Sequence, residues 1–204
     1  MVQCGMGVRL TPDVRSRRPG RADWGVSRKR TLYLLRHAKS SWDDPALPDR
    51  DRPLAPRGHR ACELVAEHLR RHKITPALVL CSSSTRTRET LERVSAGFSR
   101  PVEALIEDGL YAATAAELLA RLRTVDSAVA SVLLIGHQPA VQELAVSLVR
   151  AEPQRRALNG KFPTGALATL TITSSWASLA PETATLNAFV KPRDLKASRR
   201  PDAA

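Results

Sequence analysis

Two segments, Leu34-Leu35-Arg36-His37-Ala38 and Ile135-Gly136-His137, each place a histidine where an apolar, strand-like run ends. An open α/β sheet builds its active site in the crevice beyond the carboxyl ends of its parallel strands. A third apolar run, Ala77 to Cys81, passes through Ser82-Ser83-Ser84-Thr85-Arg86 into a helical segment. Set side by side, the three strands bring Arg36, His37, Arg86 and His137 to one point. Two guanidinium forks and two imidazoles make a pocket for a phosphoryl group, because arginine matches phosphate oxygens bidentately and keeps its charge. An imidazole there has a second capacity, since its nitrogen can attack phosphorus.

The elements that must position these groups follow from the apolar pattern. Leu32 to Leu35, Leu78 to Cys81 and Val132 to Ile135 read as short strands buried on both faces, and Pro101 to Ile106 as a fourth strand. Pro56 suits a helix N-terminus, with Cys62, Val65, Ala66 and Leu69 following at helical spacing to an end near His72-Lys73. Thr85 to Val94, the stretch from Glu117 to Val125, and a segment opened by Pro139 and carrying Val141, Leu144 and Leu148 are further helices. Ala166 to Ile172 and Ala184 to Val190 are late strands placed near the sheet edges. Strands alternating with helices predict an α/β, single-domain, three-layer sandwich: a mostly parallel central sheet with helices on both faces. Ser40 to Pro53 is a polar, Asp- and Pro-containing loop that leaves His37 directly and borders the site.

The 204 residues suit one domain, expected over 30–194. The formal charge of +12 is uneven, because residues 1–30 hold eight Arg or Lys and two Asp, and residues 191–204 hold five and two. Nine of the twelve net charges therefore lie in the two ends, and the body is close to balanced. Residues 1–29, crowded with Arg, Pro and Gly, and residues 195–204 are expected to be disordered. A further expectation is that the natural protein begins near Val26 and that the preceding stretch is a translation-start assignment. Cys4, Cys62 and Cys81 have neither the parity of a disulfide framework nor metal-ligand spacing, so a cytoplasmic location is expected. No apolar run approaches the roughly 18–20 residues that span a bilayer, so no membrane partner is expected.

Six segments carry a family resemblance: Leu35-Arg36-His37-Ala38-Lys39-Ser40-Ser41-Trp42, Leu54-Ala55-Pro56-Arg57-Gly58, Ser82 through Thr90, Leu110-Tyr111-Ala112, Gly136-His137-Gln138-Pro139 and Phe162-Pro163-Thr164-Gly165-Ala166. In this order the chain resembles the histidine phosphatase superfamily, and within it the small SixA-like phosphohistidine phosphatase branch. The Arg-His pair is followed by Ala38, as in that branch, where many relatives have glycine.

The resemblance implies a metal-independent phosphatase with no cofactor. His37 would be the nucleophile that becomes transiently phosphorylated, Arg36 and Arg86 would clamp the phosphoryl oxygens, and His137 would donate to the same oxygens. For this His37 must be neutral at its attacking nitrogen, with its other ring nitrogen held by a partner such as a backbone carbonyl. Arg86 rather than Arg88 fits the family spacing from Ser82 to Thr90. Glu107, with Asp108 as the alternative, is the expected general acid. Lys39, Ser41, Trp42 and Asp43 form a candidate substrate loop, in which Asp43 would repel a dianion unless it turns away. The span between Thr90 and the next helix leaves no room for the large insert that encloses metabolites in bigger relatives. The implied partner is a phosphorylated protein, foremost one carrying phosphohistidine; the sequence does not set the oligomeric state, for which a monomer is favoured.

Other readings compete. A broad phosphomonoesterase acting on small metabolites or nucleotides uses the same residues. A thiolate phosphatase loop of the Cys-x5-Arg type fails on spacing, since Cys81 lies one residue too close to Arg86 and one too far from Arg88. A basic module holding nucleic acid through its ends would bind weakly and salt-sensitively, and no specific nucleic-acid partner is expected.

Overall fold

The computed structural model describes residues 8–11, as backbone, and 29–197. In chain order the elements are β1 (Val8–Thr11), β2 (Arg30–Arg36), α1 (Pro56–Arg71), β3 (Leu78–Ser82), α2 (Thr85–Val94), β4 (Val102–Glu107), α3 (Ala115–Arg123), β5 (Ser131–Gly136), α4 (Ala140–Leu148), α5 (Glu152–Asn159), β6 (Leu167–Ile172), β7 (Ala184–Val190) and α6 (Pro192–Ala197). The strands form one mixed sheet in the order β1-β4-β3-β5-β2-β6-β7. All pairings from β1 to β2 are parallel, and β6 and β7 add on antiparallel.

The pleat explains why the central strands are apolar without interruption. Leu32, Leu34, Leu78, Leu80, Val132 and Leu134 point into one core, with Leu118 and Leu122 of α3, Val141 and Leu144 of α4 and Leu158 of α5. Leu35, Val79, Cys81, Leu133 and Ile135 point the other way, against Cys62, Val65 and Leu69 of α1 and Leu91 and Val94 of α2. Both faces of the sheet are thus covered, and each fully buried leucine contributes about 1.5–3 kcal/mol of hydrophobic stabilisation.

Right-handed crossovers decide which helix lies where. The chain moves from β2 past the place of β5 to β3 and on to β4, laying α1 and α2 on one face. It then reverses to β5, which puts α3 on the opposite face. The reversal inserts β5 between β3 and β2, and the crevice at such a switch point opens beyond the strand ends.

Three elements lie outside the sequence expectation. Val8–Thr11, within the stretch expected to be disordered, pairs with the free edge of β4 from Val8↔Val102 to Thr11↔Leu105. An edge strand offers a row of unpaired backbone groups, and the short alternating segment Val8-Arg9-Leu10-Thr11 pairs with them. The eight-residue helix α5 was not anticipated, and α6 takes in Leu195 to Ala197, which were assigned to the tail. Half-buried Leu195 packs on the core beneath α1 and α2. The remaining residues of 1–28 and 198–204, including the region of the expected start near Val26, lie outside the described residues. Among the described residues no helix is long and apolar enough to cross a membrane.

The first turn of α1 lies directly under the strand-to-loop transition that follows His37. A Cβ at Gly58 would overlap the Lys39 carbonyl oxygen, which already accepts from Ala55 N–H at 2.8 Å. Gly58→Ala is expected to destabilise the protein by about 1–3 kcal/mol, through an overpacking that backbone atoms cannot relieve. Urea unfolding at neutral pH measures it, and an unchanged midpoint would contradict the packing described.

Candidate active site

The parallel register sets the side chains level. Arg36 pairs with Gly136, Leu35 with Ile135 and Ile135 with Cys81, so β2, β5 and β3 end together. One further ladder bond, His37 N–H to Gly136 C=O at 3.0 Å, carries the alignment past the strand ends. His37 and His137 face each other with ring centroids 5.1 Å apart. Arg86, in the first turn of α2, reaches His137 Nδ1 with one guanidinium nitrogen at 3.4 Å. Arg36 donates to the Phe162 carbonyl at 2.8 Å, while Gly165 N–H donates to the carbonyls of Arg36 and His37 at 3.1 Å. Gly165 has φ of 77°, a left-handed conformation that glycine adopts without cost, and this places its N–H under the end of β2.

The protonation state of each ring can be read from its partners. His37 Nδ1 lies 2.7 Å from the Ala38 carbonyl oxygen, which only accepts, so the proton is on Nδ1 and the lone pair on Nε2. Arginine only donates, so His137 Nδ1 accepts from Arg86, and Nε2–H donates to the buried Ser82 hydroxyl at 2.8 Å. Burial drives the His37 pKa down to about 3, and the charges of Arg86 and Arg36 add to the effect. Burial and then Arg86 bring His137 down to about 4. Both rings are therefore neutral near pH 7.

Thr90 links the two halves of the site. Its hydroxyl accepts from Ala38 N–H at 3.0 Å and donates to the Arg86 carbonyl at 2.6 Å. The strand end bearing His37 and the helical turn bearing Arg86 are thereby tied through one buried side chain.

The loop after His37 closes over this floor. Its stem is joined by Ser41 N–H to Pro53 C=O at 2.8 Å, and Leu54 N–H donates to Glu89 of α2 at 2.7 Å. A 3-10 turn at its tip, Asp49–Asp51, folds onto Arg86. The Asp49 carboxylate accepts from Arg86 at 2.8 Å and from the Tyr111 hydroxyl at 2.8 Å, and the Asp49 carbonyl also accepts from Arg86. Tyr111 stands edge-on to His137, centroids 5.5 Å apart, and 5.8 Å from the Arg86 guanidinium carbon. The Tyr111 hydroxyl, with Arg86, holds the Asp49 carboxyl below the usual carboxylate range. The adjacent Arg50 is ion-paired with Asp108 and donates to Ser83 at 2.8 Å.

The structure thus brings together Arg36, His37, Arg86 and His137, and leaves Arg88 exposed. It does not place Glu107 as expected. Glu107 alternates to the α3 face of β4, where Arg121 grips both carboxylate oxygens at 2.6–3.0 Å. The expected substrate loop is also redistributed. The Lys39 carbonyl bonds Ala55, Ser41 Oγ accepts from Asp43 N–H, and Asp43 is exposed. Trp42, 63% exposed, stacks under the Arg52 guanidinium, 3.7 Å from the ring centroid. The carboxylate that reaches Arg86 is Asp49. Ser82, Asp49 and Tyr111 join the site beyond the four expected residues; Ser82 and Tyr111 fall within segments that carry the family resemblance, but no spacing singles out Asp49. Cys81 is buried and its thiol pKa is pushed up by that burial, as suits a packed hydrophobe rather than a thiolate.

The sequence profile of the histidine phosphatase superfamily (branch 1) matches residues 32–111. Over 163 residues the chain is 36% identical to an uncharacterized protein of Mycobacterium tuberculosis (strain CDC 1551 / Oshkosh), an alignment covering 78% of this chain and 100% of that one. The chain belongs to the histidine phosphatase superfamily. It is 31% identical over 146 residues to phosphohistidine phosphatase SixA of Escherichia coli (strain K12), covering 71% of this chain and 86% of the relative. A solved structure of the protein histidine phosphatase SixA complexed with tungstate superposes with a TM-score of 0.68 at 29% identity, covering 81% of this chain and 99% of the other. Within the superfamily this histidine phosphatase is SixA-like, and it is a hydrolase. Among the described residues no group of three or more His, Cys, Asp or Glu is arranged to hold a metal ion.

Two neutral imidazoles, His37 buried and His137 half-buried, give this phosphatase a pH-dependent stability. Unfolding releases each ring to an ordinary pKa near 6.5, so below that value the unfolded chain binds protons that the folded chain refuses. Stability is expected to fall as the pH drops from 7 to 5, by about 2 kcal/mol for each ring, and to go on falling until the folded values near 3 and 4 are reached. Urea unfolding at the two pH values, compared with His37→Asn and His137→Asn, checks this. Equal slopes in parent and variants would contradict it.

Proposed function

We propose that this histidine phosphatase removes the phosphoryl group from phosphohistidine on other proteins, through a phosphorylated His37. The observation that carries this reading is that the carboxylate facing the anion-binding arginine, Asp49, is held as an acceptor by Arg86 and Tyr111, while the two carboxylates expected as acids are engaged elsewhere, Glu107 with Arg121 and Asp108 with Arg50. An alkoxide leaving group needs a proton from a positioned acid. A phosphohistidine ring needs none from the enzyme if it already carries a proton on its distal nitrogen, because it then departs as neutral imidazole.

In this reading Arg36 and Arg86 hold the phosphoryl oxygens, where the transferring charge is spread. The lone pair of His37 Nε2 forms a bond to phosphorus as the P–N bond of the substrate breaks, its electron pair passing to the departing ring nitrogen. The Ala38 carbonyl keeps the proton on His37 Nδ1 throughout. Phosphorylated His37 is accordingly a cationic ring, ready to leave as neutral imidazole when water attacks phosphorus and its protons pass to phosphate. The Ser82 hydroxyl can donate as well as accept, which lets His137 turn Nδ1–H towards a bound anion once Arg86 has swung to it. The likeness to SixA proteins supports the same substrate class, and so does a site rimmed by a short loop rather than a domain insert.

Phosphate release from a phosphohistidine protein, a phosphotyrosine peptide and a set of sugar phosphates tests the assignment. The phosphohistidine substrate is expected to have at least a tenfold higher kcat/KM than the others. A wide preference for a sugar phosphate would instead favour a metabolite phosphomonoesterase. His37→Ala is expected to lower turnover at least a thousandfold, whereas Cys81→Ala retains it. The reverse pattern would overturn the imidazole mechanism.

A further inference from the structure

The Asp49 carboxylate stands in a place that a phosphatase acting on dianions has reason to keep free of negative charge. It faces the fork of Arg86, the group expected to hold the phosphoryl oxygens, and is tied down by Tyr111. An oxygen-linked phosphate meets this carboxylate as a repulsive neighbour. The question is which substrate gains from it.

In-line displacement sets the geometry. His37 lies at the floor of the site, 8% exposed, and its free Nε2 must attack phosphorus from within. The leaving group therefore departs towards solvent. Arg86 is as buried as His37, but the Asp49 side chain bonded to it is 57% exposed, so Asp49 occupies the solvent side of the phosphoryl subsite. When a phosphoryl group takes the guanidinium, the carboxylate gives up that bond. Its bond to the Tyr111 hydroxyl keeps it at the mouth, beside the departing group.

We propose that Asp49 selects nitrogen-linked over oxygen-linked phosphoryl donors, its carboxylate accepting the ring N–H of the substrate's leaving imidazole. The inference rests on the reading of phosphohistidine as substrate and adds the residue that enforces it. The protonated ring of phosphohistidine is cationic, and an ionised carboxylate beside it favours that protonated form. When His37 Nε2 bonds to phosphorus and the P–N bond breaks, the ring keeps its proton and leaves as neutral imidazole. No acid is consumed, and the carboxylate is unchanged at the end. A phosphomonoester has no N–H or positive charge to offer at the same place, so for it Asp49 is only an obstacle. The low pKa imposed by Tyr111 and Arg86 is consistent with this division, since it keeps Asp49 an acceptor rather than a proton donor.

The experiment compares kcat/KM for a phosphohistidine peptide and for p-nitrophenyl phosphate in the wild-type chain, Asp49→Asn and Asp49→Glu. The second substrate has a leaving group acidic enough to need no proton. Asp49→Asn is expected to lower the ratio of phosphohistidine to nitrophenyl turnover at least tenfold, with a lower KM for the nitrophenyl ester and tighter inhibition by inorganic phosphate. Asp49→Glu is expected to retain most of the wild-type preference. A parallel change in both substrates, leaving the ratio within twofold, would overturn the role of Asp49 while the phosphohistidine assignment stands. A tenfold fall in nitrophenyl turnover with unchanged phosphohistidine turnover would also overturn it, since the carboxylate would then favour the oxygen-linked donor. A wild-type enzyme that ignores phosphohistidine would overturn the substrate assignment and the selection together.

Discussion

Arg36 and Arg86 bring two permanent positive charges to one strand edge, and the surrounding contacts keep the two imidazoles between them uncharged. A protonated His37 would be buried beside two guanidinium groups and a second ring, an arrangement for which a low-dielectric site offers no compensation. Neutrality is also what makes the ring useful, because only a neutral imidazole has a lone pair to give. The Ala38 carbonyl then decides which nitrogen has it, by retaining the proton on Nδ1. That carbonyl belongs to the residue next to His37, so the tautomer is set by local backbone geometry rather than by a distant side chain. Thr90 holds Ala38 in turn and, through the Arg86 carbonyl, makes the position of His37 depend on the turn that bears Arg86.

The sheet order supplies the rest. Because β5 slots between β3 and β2, His137 arrives between Arg86 on one side and His37 on the other, although these residues are far apart in sequence. Three strand ends at one level need no long loops to converge their side chains. The loop of residues 40–53 is free to act as a rim, and its tip is fixed at Arg86 rather than left to solvent.

Much of this was legible in the sequence because buried parallel strands announce themselves as uninterrupted apolar runs, and the residues just beyond them inherit a known place. Arg36, His37, Arg86 and His137 could be read in that way. Glu107 could not. Its distance past β4 was right, but the pleat turns it towards α3, where Arg121 captures it, while Ile106 faces the opposite core. The loop defeated the reading for another reason. It holds four aspartates, Asp43, Asp44, Asp49 and Asp51, and nothing in their spacing ranks them. Nearness in sequence favoured Asp43, whereas the folded-back 3-10 turn presents Asp49 to a partner 37 positions away. Tyr111 belongs to the same class, since its contacts with Asp49, Arg86 and His137 are all tertiary. The edge strand β1 alternates apolar and polar over only four residues, too short a run to stand out among the Arg, Pro and Gly around it, and is defined by the partner it pairs with.

Both described cysteines are free and enclosed, Cys62 with its pKa pushed up to about 12 by burial and Cys81 raised by the same cause. Peroxide and electrophiles react with the thiolate form of sulfur, and neither of these residues presents it. The attacking atom proposed for this site is an imidazole nitrogen, which lies outside the sulfur oxidation ladder altogether. By the proposed mechanism, dephosphorylation would need no ionised thiol and so would not share the oxidative inactivation of a thiolate enzyme.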